Sequence, residues 1–275
     1  MRHAGPTVRA ALGSLALLAM AAVACDAEGA ATPTPEAPPA TVTASAATPA
    51  ATATPSPTPT PEPLPPSTEW TWLVSKEHAL PDGYAPDDLV TLPPEWRAPT
   101  GYAFSLRREP AEAAVEMLEA MRDAGLTAGV LSAYRSYDQQ VAAHESLAAR
   151  VGPELAARRS APPGRSEHQL GSTLDFSTPS VGWEITADFD ATPESAWLRE
   201  HAHEYGFALS YPPDGETVTG YVFEPWHYRY VGDDHARRWK DSGLTLIEYL
   251  RLVEGASAPG EPREGDPLDA STPPD

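Results

Sequence analysis

The sequence contains a single cysteine, Cys25, among its 275 residues. A disulfide within the chain is therefore excluded, and no thiolate beyond Cys25 can bind a metal. Any metal in the later part of the chain must be held by histidine, aspartate or glutamate. Basic residues are also few, with 19 Lys and Arg against 39 Asp and Glu, so the formal net charge is −20. This charge argues against a nucleic-acid partner, whose phosphates would be repelled, and is typical of a soluble protein.

The start of the chain lacks an apolar stretch long enough to span a membrane, which needs about 20 residues. Residues 10–23 are apolar but shorter than that, and Arg2 and Arg9 precede them. A positively charged start, a short apolar stretch and small residues after it are typical of an export signal. We therefore predict that residues 1–24 are a signal peptide and that the protein is exported.

Two cleavage sites fit the end of this signal. Ala22-Val23-Ala24 suits ordinary signal peptidase. Val23-Ala24-Cys25 instead resembles a bacterial lipobox, in which the cysteine is lipidated, although leucine usually stands where this chain has Ala22. Because the single cysteine falls at the required place, we expect lipidation of Cys25 and a membrane anchor facing the cell wall. Simple secretion is the alternative.

Proline is abundant, at 32 residues, but most of the surplus lies outside the middle of the chain. Residues 25–69 are rich in Ala, Thr and Pro and have almost no large apolar side chains, so they cannot bury enough surface to fold. Such a segment is extended, at about 3 Å per residue, and suits a tether or a passive spacer. Residues 255–275, rich in proline and acid, are predicted to be a disordered tail. The folded part is then one domain over residues 70–254, which we expect to be monomeric.

Within this domain the clearest helix runs from Arg107 to Gly125, where apolar side chains recur at i, i+3, i+4 and i+7. These side chains are Ala114, Met117, Leu118 and Met121. Further helices are predicted over 137–150, 193–205, 233–240 and 245–253, strands over 126–133, 172–176, 207–209, 221–223 and 226–230, loops over 155–164 and 211–219, and irregular chain over 70–99. Strands mixed with helices, without a regular βαβ alternation, indicate an α+β domain with a central antiparallel sheet flanked by helices.

Two short segments carry side chains suited to metal binding. His168 and Asp175 are separated by a glycine that allows a sharp turn, so they can converge from a loop and the strand after it. Glu224 and His227 are three apart, and they need a bend at Pro225 because such residues face opposite sides of a regular strand. Each pair alone is weak evidence. Together they offer three ligands to a cation, as catalytic zinc sites do, plus a carboxylate that can act as general base.

Arg135 stands where a predicted strand meets a predicted helix, which is a common position for a functional residue. It either pairs with one of the many surplus carboxylates or serves as a fork for a substrate carboxylate or a developing oxyanion. The other histidines lack suitable partners. His201 and His203, for example, are two apart on a predicted helix and cannot share a face, so we expect ordinary surface or core roles for them.

Three blocks occur in order along the chain: SAYRSYDQQ at 132–140, PGRSEHQLGSTLDFS at 163–177 and GYVFEPWHYRYVG at 220–232. Together they resemble the VanY-like D-alanyl-D-alanine carboxypeptidases, which belong to the same group of zinc peptidases as lysostaphin and the hedgehog signalling domain. The resemblance covers about residues 72–239, and the combination is far more specific than any single block. It implies a hedgehog/DD-peptidase-like fold.

The resemblance also implies zinc as the cofactor and assigns roles to the residues of the blocks. His168, Asp175 and His227 would hold the zinc ion. Glu224 would be the catalytic base, and Arg135 would stabilise the transition state.

Ser166 and Gln140 match family positions near the bound peptide, and peptidoglycan stem peptides are the implied substrate. Ser210 stands where the family often has arginine, which could alter what the cleft accepts. Three functions stay open at this point. They are a D,D-carboxypeptidase acting on pentapeptide stems, an L,D-carboxypeptidase trimming tetrapeptides, and a catalytically silent wall-binding module.

Overall fold

The computed structural model describes residues 64–256 of the chain. These residues belong to the second of two compact units, Pro59–Asp275. The predicted signal peptide, Cys25, residues 26–63 of the linker and nearly all of the predicted tail lie outside the described residues. Within residues 64–256, no helix is both long and apolar enough to cross a membrane.

Seven α-helices and six β-strands are found between residues 64 and 256. The helices are α1 (Arg108–Asp123), α2 (Tyr137–Val151), α3 (Pro153–Arg159), α4 (Pro193–His201), α5 (Glu216–Thr219), α6 (Asp233–Ser242) and α7 (Leu246–Ala256). The strands are β1 (Leu89–Thr91), β2 (Ser105–Arg107), β3 (Gly129–Ser132), β4 (Thr173–Ser177), β5 (Phe207–Leu209) and β6 (His227–Tyr230). Short 3₁₀ turns connect several of them, including Glu167–Leu170 before β4.

Four of the strands form an antiparallel sheet in the order β3-β4-β6-β5, and β1 pairs with β2 separately. In the register of β4 with β6, Asp175 lies opposite His227. On the other side of β4, Asp175 pairs with Ser132 after an irregularity in β3 that begins at Val130. The α+β fold with an antiparallel sheet, predicted from the sequence, is confirmed.

The main core lies between this sheet and α1. The four apolar side chains predicted for the inner face of α1 are all at most 1% exposed, and they belong to one cluster with Leu174, Phe176 and Tyr228. Side chains alternate along a strand, so the same register that sends Leu174 and Phe176 into this core sends Asp175 to the opposite face. That face carries the candidate site.

The structure corrects several of the predicted elements. Part of the predicted loop 155–164 belongs to α3, whose first residue is Pro153, and proline favours the first helical position because its missing N–H has no partner there anyway. Residues 221–223 are not a strand, because β6 is already paired on both edges by β4 and β5. The segment predicted to be irregular contains β1, and β2 was not predicted at all.

Two glycines with positive φ allow a matched test of packing behind the sheet. Gly206 has φ +80°, and a Cβ there would lie 3.0 Å from Cδ2 of Tyr230 and 3.1 Å from Oδ1 of Asp233. Gly83 has φ +77° and nothing within 4 Å of the same position. We expect Gly83→Ala to lower the free energy of unfolding by about 1–2 kcal/mol, because an L-residue is strained in this region. Gly206→Ala should cost about 1–3 kcal/mol more, because the methyl group also overpacks.

Urea denaturation of both variants and the parent measures the difference. Equal losses would show that the Tyr230 ring moves aside freely and that the packing around Gly206 is not tight.

Candidate metal centre

Three different elements supply the side chains of the candidate site. His168 lies in the 3₁₀ turn Glu167–Leu170, which ends at Gly171 with φ +75° before β4 begins. Asp175 lies in the middle of β4, and His227 is the first residue of β6. The glycine turn returns the chain so that His168 lies over the strand that follows it, as the sequence predicted. All three residues are buried, at no more than 5% exposed.

The distances between these side chains suit a single cation. Nε2 of His168 lies 3.3 Å from Oδ2 of Asp175, and Nδ1 of His227 lies 3.1 Å from Oδ1 of the same carboxylate. One ligand atom from each residue lies within 4.8 Å of the others, and this is the group of potential ligands found among residues 64–256. Ligands held at about 2.0–2.1 Å around a tetrahedral zinc are about 3.4 Å apart. The two separations from Asp175, 3.3 Å and 3.1 Å, are close to this value, although they involve different oxygens of the carboxylate.

The protonation of His168 and Asp175 fits metal binding, whereas His227 must lose a proton to become a ligand. Burial opposes the positive charge of His227, but Asp175 and Glu167 raise its pKa to about 10. Burial and the positive charge of Arg135 lower the pKa of His168, although Asp175 opposes this, so the neutral imidazole that a metal requires is favoured. Burial opposes ionisation of Asp175, but its close contacts with the imidazoles of His168 and His227 hold its pKa well below the usual range. Its Oδ1 is buried and accepts no hydrogen bond. A lone pair is thus left for a cation.

Glu224 lies beside this group, with Oε2 3.6 Å from Nδ1 of His227. The bend that the sequence required is present, because the chain turns at Pro225 and the backbone N–H of His227 donates to the carbonyl of Glu224 at 3.1 Å. Burial raises the pKa of Glu224 to about 8, and the negative charges of Asp175 and Glu167 add to this while His227 opposes it. A bound dication would lower this pKa, since a nearby positive charge favours the carboxylate.

Arg135 is half-buried and held by two bonds from its guanidinium. Nη1 donates to Oε1 of Gln140 at 2.9 Å and Nη2 donates to Oγ of Ser132 at 3.0 Å. Its backbone N–H donates to the carbonyl of His168 at 3.2 Å. The junction between β3 and α2 is thus hydrogen-bonded to the 3₁₀ turn that carries His168. The charge of Arg135 influences the pKa of both His168 and Glu224.

The two residues predicted to lie near a bound peptide are both buried. Gln140 is 1% exposed, and its amide nitrogen donates to the carbonyl of Ala161 at 2.7 Å and to Oγ of Ser160 at 3.2 Å. Both polar atoms of its side chain are thus bound inside the protein. Ser166, 4% exposed, directly precedes the turn that carries His168. Gln140 is therefore placed to support Arg135.

Sequence reasoning missed two charged residues at this site. These residues are Glu167 and Arg229. Oε2 of Glu167 accepts a hydrogen bond from Nε2 of His227 at 3.0 Å, and Oε1 accepts one from Nη1 of Arg229 at 3.0 Å. Burial opposes ionisation of Glu167, yet Arg229 and His227 lower its pKa to about 2. A signal was available, because Arg229 is two residues after His227 in a strand and so faces the same side.

The histidines expected to have ordinary roles contact other groups. Nδ1 of His201 lies 3.0 Å from Oε1 of Glu204, and His235 contacts the hydroxyl of Tyr249 and the carbonyl of Pro66, each at 2.9 Å.

The fold and this buried cluster define an α+β domain with a His/Asp/His candidate metal centre. A family model described as VanY, D-alanyl-D-alanine carboxypeptidase, matches residues 103–233. The YodJ protein of Bacillus subtilis is 38% identical over 183 residues, which cover 66% of this chain and 67% of YodJ. The chain belongs to the VanY family of D-alanyl-D-alanine carboxypeptidases, as the sequence blocks indicated.

Two solved structures extend this similarity. The LdcB LD-carboxypeptidase shares 38% identity with a TM-score of 0.61, and the match covers 65% of this chain and 84% of that protein. A mutant of the vancomycin-resistance D,D-pentapeptidase VanY, in complex with Zn(II), shares 28% identity with a TM-score of 0.55. That match covers 66% of this chain and 99% of the other.

We expect His168→Ala to retain little zinc after loading with the metal, because one of three candidate ligands is removed from a buried site. The affinity should fall by more than the about 10–100-fold that loss of an outer hydrogen-bond partner causes. Metal analysis of the purified, dialysed protein measures the occupancy. His201→Ala is the matched control and should keep the zinc content of the parent. Full occupancy in His168→Ala would remove this residue from the ligand set.

Proposed function

We propose that the protein is a zinc-dependent D-alanyl-D-alanine carboxypeptidase that removes the terminal D-alanine from peptidoglycan stem peptides. The observation that carries this proposal is the buried cluster of His168, Asp175 and His227 with Glu224 beside it, in a chain of the VanY family. The related VanY structure that contains Zn(II) supports the choice of metal.

In this proposal His168, Asp175 and His227 hold the zinc ion. When bound, zinc supplies Lewis acidity, which makes a water a stronger nucleophile and polarises the scissile carbonyl. Their nitrogen and oxygen donors and their spacing support this assignment.

Glu224 is the proposed general base. Its carboxylate takes a proton from the attacking water and later passes it to the departing amine, so that D-alanine leaves with a neutral amino group. Its burial supports this role, because a carboxylate in a dry site is a stronger base than one in water.

Arg135 is the proposed donor to the oxyanion that develops on the attacked carbonyl. Its bonds to Gln140 and Ser132 fix the direction of the guanidinium before substrate binds. Gln140 then serves the substrate through Arg135, and Ser166 is the proposed direct neighbour of the peptide.

A second candidate activity has its own support. The similarity to the LdcB LD-carboxypeptidase, at 38% identity and a TM-score of 0.61, favours an L,D-carboxypeptidase that trims tetrapeptide stems. A catalytically silent wall-binding module is disfavoured, because all four side chains of the proposed centre are present and close together.

Incubation with defined pentapeptide and tetrapeptide stems tests the function. We expect release of one D-alanine from the pentapeptide, and loss of this release after treatment with a chelator, with recovery on addition of zinc. Mass spectrometry of the products measures the cleavage. Cleavage of the tetrapeptide alone would support the L,D activity, and cleavage of neither stem by zinc-loaded protein would support the silent module.

Replacement of Glu224 tests the proposed base separately from the metal. Glu224→Gln should keep the zinc of the parent and lose about 10²–10⁴-fold in turnover, which is the usual contribution of general acid–base catalysis. Glu112→Gln, which removes an exposed carboxylate from α1, is the control and should keep both zinc and activity. Parent-like turnover in Glu224→Gln would exclude Glu224 as the base.

Export and anchoring complete the proposal. A signal peptide over residues 1–24 with lipidation of Cys25 would place the domain outside the cytoplasm, where peptidoglycan is found. Residues 25–69 would act as the tether of a monomeric enzyme. The mass of the mature N-terminus distinguishes a lipid anchor from simple secretion.

A further inference from the structure

A short backbone segment, Trp70–Trp72, contacts the metal centre through a chain of buried polar groups. The side chain of Arg229 is fully buried, and its Nη2 donates to the carbonyl of Trp70 at 3.0 Å and to that of Trp72 at 2.6 Å. Its Nη1 donates to Glu167, which in turn accepts from Nε2 of His227. Each of these contacts is within hydrogen-bond distance.

The 70–72 segment is itself firmly packed. Trp70 stacks edge-on against Tyr230 with ring centroids 5.5 Å apart, and the guanidinium of Arg107 lies 4.4 Å from the centre of its indole. Trp72 is 7% exposed and packs in a small cluster with Val74. The carbonyls that accept from Arg229 are therefore held in fixed places.

We propose that Glu167 and Arg229 are positioning residues of the candidate metal centre, and that the carbonyls of the 70–72 segment hold Arg229 in place for this role. This inference rests on the proposed zinc function. Glu167 holds the imidazole of His227 with Nδ1 toward Asp175, and its negative charge makes that nitrogen a better donor to a cation. The positive charge of Arg229 balances the buried negative charge of Glu167, to which Nη1 donates. Nη2 donates to the carbonyls of Trp70 and Trp72, which fixes the orientation of the guanidinium.

The arrangement gives the two histidine ligands opposite tautomers. Nδ1 of His168 lies 2.8 Å from the carbonyl oxygen of Ala133, so this nitrogen carries the proton and Nε2 faces Asp175. Both nitrogens of His227 face carboxylates, with Nε2 toward Glu167 and Nδ1 toward Asp175. A cation bound beside Asp175 would take the place of the proton on Nδ1, so the remaining proton belongs on Nε2, where Glu167 accepts it. A carbonyl supports one ligand, and a charged carboxylate supports the other.

Zinc affinity of the full chain, measured by competition with a chromophoric chelator, tests the proposal. Glu167→Gln should bind zinc about 10–100-fold more weakly than the parent, as is usual when an outer partner of a histidine ligand is lost. Arg229→Lys keeps the charge but not the fork, and should also weaken binding by about 10-fold. Leu198→Ala is the stability control, because it opens a cavity at a side chain that is 1% exposed and outside the site, and it should keep the parent affinity.

The outcomes separate this inference from the proposed function. A parent protein that binds no zinc would overturn both. A parent that binds zinc, with equal affinity in folded Glu167→Gln, would overturn the positioning role alone. Equal weakening in Leu198→Ala would also overturn it, since general loss of stability would then explain the effect. Parent-like zinc affinity in Arg229→Lys would show that the contacts of Arg229 with the 70–72 segment do not support zinc binding.

A measurement on the unaltered chain covers the case in which Glu167→Gln does not fold. Nitrogen-15 NMR of the imidazoles in the zinc-loaded protein reports which ring nitrogen carries the proton. We expect the proton on Nε2 of His227 and on Nδ1 of His168. A His227 ring without a proton on Nε2 would contradict the proposal.

Discussion

The antiparallel pairing of β4 with β6 places Asp175 opposite His227, and the geometry of the candidate metal centre depends on this register. A shift of one residue would turn Asp175 toward the apolar core and bring Leu174 or Phe176 to the site. The register is fixed by packing on the opposite face of the sheet, where Leu174, Phe176 and Tyr228 fill the core against α1. The packing on one face of the sheet thus decides the chemistry on the other.

Charge at the centre is balanced over a small volume. Glu167, Asp175 and Glu224 are all buried, at no more than 8% exposed, with Arg229 fully buried among them. Carboxylates in such an environment are stable only when they are paired or bound to a metal. Glu167 has Arg229 as its partner, and Asp175 faces the two imidazoles. A dication between the ligands would offset the remaining negative charge.

The sequence predicted best where one signal decides the outcome. The apolar period of α1 placed its four inward side chains correctly, and the glycine after His168 indicated the turn that brings it over β4. The need for a bend at Pro225 followed from strand geometry alone. Resemblance to the family was needed to join the two pairs into one site, because spacing carries no information on distant contacts.

The elements and residues that the sequence did not predict correctly have physical explanations. The helix α3 was predicted as a loop because its proline was not treated as a helix start, and residues 221–223 were assigned to a strand from their composition. Whether an apolar segment pairs depends on which strand edges are free, and the local sequence does not encode this. Glu167 and Arg229 were missed because their roles depend on partners about sixty residues apart.

The bonds from Arg229 to Trp70 and Trp72 have a consequence for where the domain begins. The matching family model starts at residue 103, well after the carbonyls that accept hydrogen bonds from Arg229. A shortened protein cut at that point would leave a guanidinium in a dry interior with two of its three acceptors missing. Hydrogen bonding therefore sets the start of the folded unit further toward the N-terminus than the family model does.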